Sequence, residues 1–151
     1  NKVNYHGLGP SENYPDSQMS AFMGRHEATM DALFTHYPYP QDNGNRGAIS
    51  EIELEYDGHL VHIAMKKAAN FAIRAYSDTQ IEHAKHMNKL EPHGCFLHLD
   101  YKVNGLGSNS CGPEPSPAHK LKPIDFEYGY TWRIKPKESP YECNRFDKNT
   151  I

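Results

Sequence analysis

Apolar and polar residues alternate over several stretches of the chain, and that period predicts strands rather than helices. Val3–His6 forms a short first strand. Ile49, Ile52, Leu54 and Tyr56 lead into Asp57-Gly58, and Val61, Ile63 and Met65 return. Asp-Gly tolerates the positive φ angles of a type I′ turn, so this segment reads as a hairpin. Glu51, Glu53 and Glu55 lie on one face of the outgoing strand, with Ile52 and Leu54 on the other. Further strands alternate through Ala69, Phe71, Ile73 and Ala75, and through Leu97, Leu99, Tyr101 and Val103. The cleanest pattern is Phe126, Tyr128, Tyr130, Trp132 and Ile134, with polar Glu127, Thr131, Arg133 and Lys135 between them. It predicts one buried face and one wet face.

Helical signals are fewer. Gln18–Leu33 is weakly helical and interrupted by Gly24. Ser77-Asp78-Thr79-Gln80 has the form of a capping box, opening a short helix with Ile81, Ala84, Met87 and Leu90 inward. Residues 7–16 are dense in turn formers and read as a structured loop. Tyr37-Pro38-Tyr39-Pro40 must be extended, because each proline disfavours the helical region for the residue before it. Most gaps between strands are too short for the helical crossovers of a parallel sheet. The fold class is therefore all-β, mostly antiparallel, with one or two short helices. Residues 137–151 lose all periodicity and form an irregular tail, leaving 1–136 as the domain.

Composition fits that architecture. The 151 residues are 37% hydrophobic, with ten tyrosines, and the mean hydropathy is −0.82. A core built from them leans on rings that keep a polar tip near water. With 16 Lys+Arg against 19 Asp+Glu, the net charge of −3 gives no electrostatic footprint for nucleic acid or an anionic membrane. No apolar run reaches the length of a membrane span, and the polar start is not a signal peptide. Cys95, Cys111 and Cys143 are odd in number and irregular in spacing, which favours free thiols over a disulfide framework.

Candidate chemistry is sparse. The loop from Asn104 to Pro117 is long for a compact domain, and its small polar groups, Asn109 and Ser110 among them, suit hydrogen bonding to sugar hydroxyls. It is not a phosphate loop, since Pro113 stands where lysine is needed. A Cys111–His119 thiol–imidazole pair has no local signature to support it. His83 and His86, with Glu82, permit ligation on a helix face, but surface histidines are the ordinary reading. His59 and His62 fall on opposite strand faces and cannot share an ion. The Glu51/Glu53/Glu55 rail looks like a solvated face, and Asp100 and Asp125 have no obvious partner. No catalytic residue is assigned.

Several loops together resemble one family. Gly7-Leu8-Gly9-Pro10 with Glu12-Asn13-Tyr14-Pro15-Asp16, Pro40-Gln41-Asp42-Asn43-Gly44-Asn45-Arg46, and the stretch Tyr76-Ser77, Gln80, His86 and Leu90 are similar to motifs near the C-terminal end of glycoside hydrolase family 2 β-galactosidases. Leu99-Asp100-Tyr101 and Gly105-Leu106-Gly107-Ser108-Asn109-Ser110-Cys111-Gly112-Pro113 continue the match in register. Asp42 stands where the family usually has glutamate.

The resemblance implies a partial galactose-mutarotase-like β-sandwich, the last domain of a retaining multidomain enzyme whose catalytic glutamates sit in a separate barrel. It implies that Asn109, Ser110 and Cys111 lie beside the galactoside substrate, and that the barrel of the same protein is the principal partner. Family members commonly bind Mg²⁺ or Na⁺ through ligands outside this segment, so no metal or other cofactor is assigned here. A soluble protein of the cytoplasm or periplasm is expected. Sheet edges left without partner strands would be covered by association, a homo-oligomer being one form of it. Two rival functions remain at this stage: a free-standing carbohydrate-binding sandwich, and a sugar epimerase of mutarotase type, which needs a buried histidine and a carboxylate on one pocket.

Overall fold

The computed structural model describes residues 1–107 and 112–137. Among these residues six strands form one antiparallel sheet: β1 (Lys2–Gly9), β2 (Phe22–Thr29), β3 (Arg46–Tyr56), β4 (His59–Arg74), β5 (Phe96–Asp100) and β6 (Tyr130–Pro136). The order is β2-β1-β3-β4-β5, and β6 also pairs with β4. β4 is long enough to hold two neighbours on one edge, β6 along His59–Met65 and β5 along Asn70–Arg74. The architecture is all-β and antiparallel, consistent with a sandwich. Register shifts between Arg46 and Glu51 mark bulges in β3, where Ala48 takes a positive φ of 54°. Bulges of this kind bend a strand and increase its twist.

The expected hairpin is β3–β4. Asp57 and Gly58 carry φ angles of 46° and 71°, the left-handed values the turn requires. The capping box is also present. Ser77 Oγ accepts from the Gln80 N–H, and the Gln80 side chain accepts from the Ser77 N–H. It opens α1 (Asp78–His83), followed by a 3₁₀ turn at Met87–Lys89. Ile81, Ala84 and Leu90 are buried against Phe34 and Tyr76, so the apolar period marks a small satellite core.

Four expectations are corrected. Gln18–Leu33 is not helical: it supplies edge strand β2 and a 3₁₀ turn at Asp31–Leu33. β2 buries none of its side chains fully, so it carries no apolar alternation, and its pairing with β1 decides its conformation. β1 runs on through Gly9, taking in the start of the expected loop. The strands expected at 61–65 and 69–75 are one continuous β4, whose exposed Lys66-Lys67-Ala68 segment breaks the pattern without ending the strand. Finally, β6 begins at Tyr130, and its expected buried face is open. Tyr130, Trp132 and Ile134 are 43%, 60% and 62% exposed. The expected tail beyond Lys137 lies outside the described residues.

The main core sits on one face of the sheet. Val3, Tyr5, Ile49, Ile52, Leu54, Ile63, Phe71 and Ile73 form it, closed by Met30 and Leu33. Tyr130, Trp132 and Ile134 pair directly with Met65, Ile63 and Val61, so they project on that same face. Gly7 sits under Ile49 so closely that a Cβ would stand 2.3 Å from its Cδ1. The packing predicts a contrast. Phe71→Ala should cost about 3–5 kcal/mol in urea unfolding, as large-to-small core changes do. Ile134→Ala should stay within about 0.5 kcal/mol, because its side chain has little packing to lose.

Candidate functional site

The loop signatures of the sequence converge on one end of the sheet, where they are occupied with backbone groups. Asn13 is fully buried. Its Nδ2 donates to the Leu8 and Ser11 carbonyls, and its Oδ1 accepts from Gly47 N–H. Asn45 Nδ2 donates to the Asn13 carbonyl at 2.6 Å and to Asn70 Oδ1 at 3.3 Å. Glu12 accepts from Gly44 N–H, whose φ of 85° suits glycine at this turn. Asn43 bridges both backbone groups of Thr35 and the Gln41 carbonyl. Arg46 is buried, and its guanidinium donates to the carbonyls of Leu33, Gly44 and Pro10. Burial alone draws its pKa down from the arginine value. Each of these polar side chains replaces a helix or ladder partner for a backbone group that would otherwise be stranded.

The long loop is held at its root. Asp16 accepts from the N–H groups of Gly107 and Leu106, at 2.9 and 3.0 Å. Those two donors hold its carboxyl below the usual 3.8. Gly105 N–H donates to the His119 carbonyl, and Asn104 Oδ1 accepts from Leu121 N–H, so the entering and leaving strands of the loop are stitched together. A side chain at Gly105 would run into the Asp16 carboxylate at 2.7 Å. Gly107 has a φ of 80°. Asn109, Ser110 and Cys111, the expected substrate-adjacent residues, lie outside the described residues, as do Cys143 and any Cys111–His119 pairing. Cys95 is a free thiol whose pKa burial pushes up.

Beside this root lies a polar cleft that the sequence did not signal. A cavity of about 200 Å³ is lined by Tyr14, Asp42, His98, Asp100 and Asn104 among others. Asp100, which had no partner in the sequence, shares it with Asp42 and His98. Burial is the main cause that raises its pKa. Asp42 forms an ion pair with Arg74, and Arg74 also donates to Asp78 at 2.5 Å and meets His98 Nε2 at 3.0 Å. Arg74 departs from the usual rule that long charged side chains stay in water; it is 2% exposed and spends its charge on these carboxylates. His98 and Asp100 alternate onto one strand face, but that spacing alone does not name the loop that faces them.

The other candidates are surface features. Glu51 pairs with Arg25 and Glu55 with Lys137, so the glutamate rail is an ion-paired solvated face. His83 Nδ1 hydrogen-bonds the Thr79 carbonyl within its own helix. Among the described residues no group of His, Cys, Asp and Glu is arranged to hold a metal ion. No helix among them is long and apolar enough to cross a membrane.

The Asp16 clamp has a definite pH signature. Its carboxyl titrates lower folded than unfolded, so its contribution is present above 3.8 and is lost as pH falls through the lower folded value. Asp16→Asn should therefore lower the urea midpoint at about pH 6, and the gap to the parent chain should close toward about pH 3. A gap that is constant with pH would show that Asp16 acts by packing alone.

Residues 1–134 match the family described as beta galactosidase small chain. A beta-galactosidase of Leuconostoc mesenteroides is 33% identical over 132 residues, covering 86% of this chain and 12% of the relative. Beta-galactosidases of Vibrio cholerae and Pseudoalteromonas haloplanktis are each 34% identical, covering 89% and 86% of this chain. The chain spans 12–13% of the length of these relatives. With nearly every residue up to Ile134 inside the match, the chain belongs to the beta galactosidase small chain family.

Proposed function

We propose that this chain is the C-terminal domain of a β-galactosidase, and that it supports the catalytic barrel and lines the active-site entrance without catalysing hydrolysis itself. The parent enzyme would cleave terminal β-D-galactose with retention, by two carboxyl groups on the barrel.

One observation supports this most strongly: the apolar face of β6. Tyr130, Trp132 and Ile134 continue the core side of the sheet past Val61, Ile63 and Met65, yet stand open to solvent. Phe126, stacked on Tyr101 at 4.7 Å, extends the apolar surface, as do exposed Leu121 and Ile124. Contiguous apolar surface of this kind marks a contact site in a folded protein. Relatives roughly seven times as long supply a natural source of the cover. The loop rooted on Asp16 is then the segment that reaches the substrate entrance, carrying Asn109, Ser110 and Cys111.

Asp42 is tied to Arg74, and Glu51 and Glu55 are ion-paired on the solvated strand face. Catalytic acids need environments that split their pKa values and leave them free to exchange protons with substrate.

The test compares the chain with the complete polypeptide of its reading frame. The purified chain should release no chromophore from an aryl β-galactoside, whereas the complete polypeptide should. Trp132→Asp should leave the unfolding of the chain alone within about 0.5 kcal/mol. In the complete polypeptide it should destabilise by about 2 kcal/mol or more, since it buries a charge in a packed contact. Turnover by the chain alone, a stop codon just upstream of Asn1, or equal effects of Trp132→Asp in both contexts would each overturn the proposal.

A further inference from the structure

β5 projects His98 and Asp100 toward the segment Tyr39–Asn45, and two cavities meet between them. The inner one, of about 200 Å³, has been described; the outer one, of about 410 Å³, is lined by Tyr39, Asp42, Arg74, Asp78 and His98 among others. Asp42 and His98 line both, so the two cavities adjoin at these side chains as a double cleft.

Arg74 organises its floor. The guanidinium holds Oδ1 of Asp42 and Oδ1 of Asp78, and its buried Nε has no hydrogen-bond partner among the described residues. Among the described residues the second oxygen of each carboxylate accepts from no side chain, and both side chains are largely exposed. Two acceptors are thus fixed in place by one buried cation and pointed at the same space. Fixing them beforehand removes part of the ordering cost that a ligand would otherwise meet.

The chemistry of the walls selects the ligand. Three aspartates and Glu82 outnumber the one arginine, which disfavours phosphates and carboxylates. No metal-holding group is present among the described residues. Tyr14 remains a neutral phenol, its pKa pushed up to about 12 by burial, and can donate. Tyr39, 65% exposed on the rim, offers a ring face. Carboxylates accept from hydroxyls. His98, whose Nε2 accepts from Arg74, keeps Nδ1–H to donate, and an aromatic face takes the C–H side of a sugar ring.

The geometry points to this double cleft as a binding site for a neutral saccharide, with Asp42, Asp78, Asp100 and His98 on its hydroxyls and Tyr39 against its ring. This goes beyond the proposed architectural role and does not use the loop at 108–111.

Galactose titrated into the full 151-residue chain, followed by calorimetry or amide chemical shifts, tests it. Binding should saturate with a Kd on the order of 1 mM. Asp100→Asn and His98→Ala should each weaken it by about tenfold, the loss expected for one hydrogen bond to a charged or strongly polar group. Tyr39→Ala, at an exposed rim where folding is not at stake, should weaken it by about threefold. No saturation up to on the order of 100 mM would overturn the assignment. So would affinity unchanged in all three variants, or tighter binding of 1,4-diaminobutane, which would mark a cation site.

Discussion

The buried amide of Asn13 and the guanidinium of Arg46 join parts of the chain that lie far apart in sequence. Asn13 reaches Gly47 across 34 residues, and Arg46 reaches Pro10 across 36. Neither is a charge or amide that tolerates loss of its partners. A buried donor or acceptor left unmade costs roughly 1–3 kcal/mol, more for a charged group. The seam therefore fixes where β1 ends, where β3 begins and how the loop between Pro10 and Ser17 folds over them. Asp16, at the end of that loop, then lands where it can hold Leu106 and Gly107. A chain of polar side chains serving backbone groups carries order from the sheet to the root of the long loop.

Much of the fold was legible because it rests on local chemistry. The turn at Asp57-Gly58 needs positive φ angles, and the capping box needs only Ser77 and Gln80 three residues apart. Both are decided within a few residues. β2 was not legible, since its conformation comes from pairing with β1 and its side chains are too exposed to alternate in polarity. The join of two expected strands into β4 was missed for a related reason. The apolar alternation lapses at Lys66 and Lys67, which lie where β4 passes from one neighbour to the other.

The site shows the same division. The signature loops announced themselves by their unusual density of Gly, Pro, Asn and Asp, but not their purpose, which in the structure is largely to satisfy backbone groups. The cleft at Asp42, His98 and Asp100 was invisible, because its walls come from a loop and a strand more than fifty residues apart. Arg74 was equally silent. Nothing in Phe71-Ala72-Ile73-Arg74 tells a buried arginine from a surface one until Asp42 and Asp78 are placed beside it.

The open face of β6 also makes the chain an optical reporter of its own surroundings. Trp132 is its single tryptophan and stands on that face, opposite Ile63 and largely exposed. Indole emission shifts to shorter wavelength as the ring leaves water, so fluorescence from this chain registers what settles on β6.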